Sequence, residues 1–382
     1  MKLLPASSSV IVLLACLSGC GSWNPFSKPD PKTAPAELQA FTPSMAVKKV
    51  WSVSIGGAGE YSFNPVAVGS SIYAASNDGS VVKIDANSGQ VAWKVRADVN
   101  LTAGVGANEK AVVVGGQKGL LLAYDTRGKL RWKMQASSEI LAAPVVSDNV
   151  VLVHTIDNRV AAYDVENGSN KWTLERPLPI LTLRVATGIA VKDQMAYIST
   201  PGGKLLSVAL QNGGLRWEVS AAEPKGATEL ERVVDMSGAP AIVSGNVCAA
   251  TYQGRVGCFD LSNGSNRWNK EISSEVGVAA DERFVFAADN QGAVSGFALN
   301  GGANVWKNDK LKRRDLSTPV SFGRAVVVGD RFGFVHFLSR EDGVFIARMP
   351  TDGSKVVSAP LIVGNNLVVQ TKSGTVVAFA TE

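Results

Sequence analysis

Histidine and cysteine are the side chains that most readily hold metals, act as nucleophiles or cross-link. This chain of 382 residues has two histidines and four cysteines. His154 and His336 sit in strand-like runs, VLVHTID and FVHFL. Two are too few for a His-based metal cluster, and they read as packed or half-exposed strand residues. Cys16 and Cys20 fall in the first twenty residues. Cys248 and Cys258 flank the turn Tyr252-Gln253-Gly254. If that loop has three residues, Thr251 faces Arg255 and Cys248 faces Cys258. Paired Cβ atoms then lie about 4.5–5.5 Å apart, near disulfide range. Two outcomes stay open here, a cross-strand disulfide or two buried thiols. The sequence has no Gly-rich phosphate loop and no nucleophile elbow. Its basic residues are scattered, without the interleaved aromatics of a nucleic-acid face.

The elements that carry these residues follow from composition and repeat. Hydrophobic residues make up 46% of the chain and charged residues 19%. About 25% charged is usual for a soluble domain. With 38 glycines and a net charge of +5, the composition favours short strands and tight turns over helices. One segment recurs: Gly, alternating apolar residues, Asp, a turn, Gly, then Trp. The clearest copies are GSVVKIDANSGQVAW (79–93), GLLLAYDTRGKLRW (119–132), NRVAAYDVENGSNKW (158–172) and GRVGCFDLSNGSNRW (254–268). The Trp column reads Trp51, Trp93, Trp132, Trp172, Trp217, Trp268, Trp306 and then Ala347. Its spacings are 42, 39, 40, 45, 51, 38 and 41 residues. About forty residues is four short strands, one propeller blade. Asp accepts turn amides and Gly supplies positive φ. The flat indole wedges between neighbouring blades, and its N–H needs one acceptor. Both columns are structural.

The expected fold is therefore all-β, an eight-bladed β-propeller of four-stranded antiparallel blades. The repeats begin with a lone fourth strand, KVWSVSI (49–55), and finish with three strands at the C-terminus. The N-terminal strand completes the C-terminal blade and closes the ring over residues 47–382.

The N-terminus reads as a targeting signal over residues 1–19. Lys2 gives a positive start, VIVLLA (10–15) a short apolar core, and LSGC (17–20) small residues before a cysteine. The core is too short to span a membrane. The LSGC tetrad resembles the lipobox of bacterial lipoproteins. That likeness implies cleavage before Cys20 and its acylation. By the sorting preference of such lipoproteins, Gly21 rather than Asp after the cysteine points to the outer membrane. Loss of Lys2 with the signal lowers the net charge of +5 by one. An oxidising periplasm makes the Cys248–Cys258 bond plausible. Residues 20–46 read as a lipidated Cys and Pro-rich tether with no core of its own. Its Trp23 and Phe26 are either interface anchors or linker residues.

The GxVxAxDxxxGxxxW pattern resembles the PQQ-type propeller repeat of quinoprotein dehydrogenases and of the BamB family of outer-membrane assembly factors. Lipobox, Pro-rich tether, blade count and length resemble the BamB family over essentially the whole chain. The likeness implies a non-enzymatic lipoprotein on the periplasmic side of the outer membrane. Its implied partner is BamA and, through it, the β-barrel assembly complex. Unfolded outer-membrane proteins are a further class of partner. Two long Trp intervals hold the irregular segments ERPLPILTLRVATG (175–188) and EPKGATELERVVDMSGAP (223–240). Such insertions mark the working face of a regular array. In the family these loops contact BamA. Its L-x-L-R element matches Leu181, Leu183 and Arg184. Its Asp-x-Asp element falls on Asp235-Met236-Ser237, which removes an acid contact at Ser237 and leaves Asp235. Leu181 and Leu183 suit apolar anchors, and Arg184 a forked donor for a carboxylate. Glu229, Glu231 and Asp235 charge the neighbouring loop, either for a partner or for bonds within the protein.

Two other functions compete. A quinoprotein dehydrogenase needs a Ca²⁺ site, a base carboxylate and a stacking platform for its quinone. The adjacent Cys-Cys pair and long chamber-building inserts of that family are absent from this sequence, so no cofactor, metal or catalytic residue is expected. The other alternative is a periplasmic lipoprotein propeller with a different envelope partner.

Overall fold

A computed structural model describes residues 34–381. Cys16, Cys20, Trp23, Phe26 and the signal lie outside the described residues. Alternating apolar residues punctuated by Asp-turn-Gly yield thirty-two strands, grouped in eight four-stranded antiparallel sheets. Seven blades run in chain order: 66–96, 101–135, 145–175, 189–220, 236–271, 278–308 and 320–350. The eighth joins both ends. Strand β1 (Val47–Ser54) pairs with β32 (Thr375–Thr381), followed by β31 (Asn366–Gln370) and β30 (Leu361–Val363). The core is a set of apolar clusters between adjoining blades. One brings Trp51 and Val376 of blade eight against Ile72 and Val82 of blade one.

The Trp and Gly columns meet across these seams. Each of the seven tryptophans donates its indole N–H to a backbone carbonyl of the following blade, at 2.7–3.3 Å. The ring lies on the turn glycine of that blade. A Cβ at Gly302 would stand 2.5 Å from the Trp268 ring, so only glycine fits there. Every outer strand carries a register shift beside the Trp place, β1 included. The shift re-aims the side chain toward the neighbouring blade. Ala347 breaks the column because blade eight joins its last two strands across the chain ends. It has no Asp-turn-Gly for a ring to cover. Met45 fills that seam and shares a buried cluster with Ala347.

Residues 36–46 are thus part of the ring body and not of a free tether. Ala36 N–H bonds Lys312 O, and Ser44 and Met45 N–H both bond Ile346 O. Phe41 stacks on Phe345 at 5.6 Å. Arg314 and Arg348 donate to the carbonyls of Ala36 and Gln39 at 3.0 and 3.1 Å, and Arg324 to that of Ser44. This strap covers the edge of β29 (Phe345–Pro350), the outer strand of blade seven. It blunts an edge open to pairing.

The sulfurs of Cys248 and Cys258 are bonded, across the middle strands of blade five.

Stability is expected to fall in two steps on acidification. Burial lowers the pKa of both His154 and His336 below 6.5. The unfolded chain takes up those protons first, so stability drops from about pH 6.5 downward. The turn aspartates follow. Ser262 hydroxyl and amide hydrogen bonds lower Asp260 to about 2, and the Ser88 amide lowers Asp85. Their contribution is present above about pH 4 and is lost toward pH 2. Melting temperatures across pH 7 to 2 check this. Replacing both histidines with Gln should remove the first step.

Candidate partner-binding site

The two insertions join blades three to four and four to five. The first, 176–188, links β13 (Asn170–Glu175) to β14 (Ile189–Lys192). The second, 221–235, links β17 (Leu215–Ser220) to β18 (Met236–Val243). They touch where Asp235, the last residue of the second, accepts Leu183 N–H of the first. The first also meets β18: Gly238 N–H bonds Ala186 O at 3.1 Å, with a bridge between Thr187 and Gly238. Gly188 permits the approach, since a Cβ there would fall 2.3 Å from Ala239 N.

The site residues divide by direction. Leu181 and Arg184 face solvent. Leu183 is half-buried and lines a cavity of about 300 Å³ with Leu141, Ile156, Leu178 and Val185. Arg184 is ion-paired with Glu139. Asp235 points inward and is only 2% exposed. Its carboxylate accepts the N–H groups of Leu183 and Gly202. Burial raises its pKa, against the pull of those two bonds. Asp235 therefore holds the first loop in place and offers no free charge to a partner. Ser237 is buried as well.

The second loop also uses its acids internally. Glu231 accepts from the amides of Ala227 and Thr228 at 2.7 and 3.0 Å. Glu229 lies 3.6 Å from Arg232. At its tip Leu230 is 73% exposed, and Ile180 on the first loop is 86% exposed. Large apolar side chains that far out of the fold mark a contact surface. Ile180 and Leu230 were not singled out by sequence, although Ile180 directly precedes Leu181. Glu139 and His154 were also missed as loop supports, because their partners lie 45 and 33 residues away. The site can bind an apolar segment and pair a carboxylate. Among the described residues no group of three His, Cys, Asp or Glu is placed to hold a metal.

Comparison with known proteins agrees with this architecture. A family model described as outer membrane protein assembly factor BamB matches residues 77–308 and 290–382. The outer membrane protein assembly factor BamB of Burkholderia pseudomallei is 42% identical over 374 residues, covering 98% of this chain and 96% of that one. Its counterpart in Bordetella pertussis is 42% identical, covering 96% and 95%. The crystal structure of BamB from Moraxella catarrhalis superposes with a TM-score of 0.81 at 26% identity, covering 88% of this chain and 100% of that one. The quinohemoprotein alcohol dehydrogenase of Comamonas testosteroni has a TM-score of 0.69 at 14% identity, covering 87% and 76%, and shares the fold alone. By sequence over nearly its whole length, and by fold, the chain belongs to the BamB family of outer membrane protein assembly factors.

Proposed function

We propose that the protein is a non-enzymatic scaffold of outer-membrane β-barrel assembly. It is held to the periplasmic face of the outer membrane through acylated Cys20. It binds BamA through loop 176–188 and so assists delivery and insertion of β-barrel proteins. The observation that carries this reading is an exposed apolar run, Ile180 and Leu181, beside the exposed guanidinium of Arg184. All three stand on a loop fixed from below by Asp235. Arg is enriched at interface hot spots, and exposed apolar side chains beside it supply surface to bury.

The test is recovery of BamA with the tagged protein from solubilised envelopes. Arg184→Ala should weaken recovery about thirtyfold, the scale of one hot-spot residue. The Leu181, Leu183 and Arg184 triple alanine variant should abolish it with the ring still folded. Unchanged recovery in the triple variant refutes the site.

A further inference from the structure

Loop 176–188 is tied at both ends to one ring of blade three. His154 lies on β11 (Val150–Thr155) and is buried. Its Nε2 is 3.1 Å from Asn158 Oδ1 and its Nδ1 is 2.7 Å from Thr187 Oγ1. The proton places itself by elimination. Asn158 Nδ2 donates to Pro177 O at 2.9 Å, so Asn158 Oδ1 is its accepting end. Nε2 therefore carries the ring hydrogen, and the bare Nδ1 accepts the Thr187 hydroxyl. The result is a continuous polar chain from Pro177, at the start of the loop, through Asn158 and His154 to Thr187, at its end.

Other contacts give this chain its purpose. Asn158 stands at φ 59°, a left-handed position that Asn tolerates. Its backbone carbonyl accepts Arg176 N–H at 3.2 Å, so both its backbone and side chain grip the loop's entry. Asp235 holds the middle at Leu183, and Glu139 restrains Arg184. The loop itself has no regular strand between Arg176 and Thr187. These side-chain ties fix a segment that no sheet ladder holds.

We infer that His154, Asn158 and Thr187 are positioning residues of the partner site, clamping the two ends of loop 176–188 so that Leu181, Leu183 and Arg184 are presented in one conformation. The inference rests on the assignment of that loop to BamA. A loop released from the clamp spends only part of its time in the competent form, and apparent affinity falls by that fraction.

Hydrogen exchange and BamA binding on the full-length mature protein test it together. Thr187→Val removes the hydroxyl at nearly constant volume. Asn158→Gly removes the amide and keeps the backbone at ease with positive φ. Each should speed exchange of amides 178–187 about tenfold, while the strands of blade two keep their protection. Each should weaken BamA binding about five- to tenfold. Thr187→Ser keeps the hydroxyl and should restore both. Unchanged loop exchange in Thr187→Val and Asn158→Gly overturns the clamp whatever binding does. Faster exchange with unchanged BamA affinity overturns the positioning role. If the Leu181, Leu183 and Arg184 triple variant also binds normally, the site assignment itself has failed, and the exchange data still report separately on the clamp.

Discussion

Deletion of residues 47–56 is expected to abolish folding of the entire ring, not of one blade. Strand β1 is the outer strand of blade eight and pairs with β32 at seven positions, from Val47–Thr381 to Ser54–Thr375. It also supplies the seam to blade one. The Trp51 indole donates to Ala86 O at 3.0 Å, and the same carbonyl accepts Asn366 Nδ2 at 2.9 Å. Trp51 and Ile55 are buried in a cluster shared by blades eight and one. Burying one large apolar side chain contributes about 1.5–3 kcal/mol. Losing those two, the partly buried Val53 and a ladder approaches the 5–15 kcal/mol that holds a typical domain. The deletion also leaves the edge of β32 unpaired, which invites aggregation. Deletion of residues 380–382 is the contrasting case. It removes the Val47–Thr381, Lys48–Ala380 and Asn366–Ala380 pairs and spares buried Phe379. Each such pair is worth about 0.2–1 kcal/mol. Thermal denaturation followed by circular dichroism should show no cooperative transition for the first deletion and a small shift for the second. An unchanged melting temperature without residues 47–56 would contradict the closure.

The repeat made most of this fold legible in the sequence. A Trp, an Asp and a Gly recurring every forty residues each answer a local demand: a seam to fill, turn amides to accept, a positive φ to supply. Strand period and closure then follow. The strap was not legible, because residues 36–46 read as Pro-rich tether while their partners, Arg314, Arg324 and Arg348, lie about 280–310 residues onward. The gap at Ala347 was visible as a departure from the column; the missing turn of blade eight and the placement of Met45 explain it. The site divides the same way. Insert length pointed to segments 175–188 and 223–240, which the fold bounds as loops 176–188 and 221–235. The direction of Asp235 could not be read, because an Asp ending an insertion looks alike whether it faces solvent or accepts Leu183 N–H. His154 read as a packed or half-exposed strand residue; it is buried, and its ring also bridges two loop ends that only the fold brings together.

The strap's fastening supplies the second large effect: Arg314→Ala should destabilise the ring by about 3–5 kcal/mol, the scale of leaving a buried charge uncompensated. Asp330 is fully buried and Arg314 nearly so, and Arg314 Nε donates to Asp330 Oδ2 at 2.6 Å. His336 Nε2 lies 2.9 Å from the same oxygen, while Arg348 Nε donates to His336 Nδ1 at 3.1 Å. Nδ1 must therefore be bare, and the neutral ring donates from Nε2. The cluster holds two guanidiniums, one carboxylate and an uncharged imidazole. Burial pushes the Asp330 carboxyl up, but hydrogen bonds from His336, Phe334 and Arg314 outweigh it and hold the pKa below the ordinary value. Removing Arg314 strips away the cation that touches Asp330 directly. It also removes the donor that holds Ala36 O at 3.0 Å, and with it the entry of the strap. The other carboxylate oxygen, Oδ1, still caps the Phe332 and Phe334 amides at 2.9 and 3.0 Å. A fair double variant must keep that acceptor. Arg314→Met with Asp330→Asn does so and takes both formal charges out of the interior. The new amide N–H group faces His336 Nε2, so the ring hydrogen moves to Nδ1 and half-buried Arg348 gives up its bond to the ring. Urea denaturation of the two single variants and the double should therefore give a coupling energy of at least about 2 kcal/mol, with the double more stable than Arg314→Ala. Exchange at the Ser44 and Met45 amides reports on the far end of the strap. It should stay slow in the double variant if Ile346 O alone holds that end, and quicken if the Arg314 hook at Ala36 holds it too. A loss below about 1 kcal/mol for Arg314→Ala would mean that water reaches Asp330 and that the aromatic contacts of Phe41 and Phe345, not the buried charges, fasten the strap.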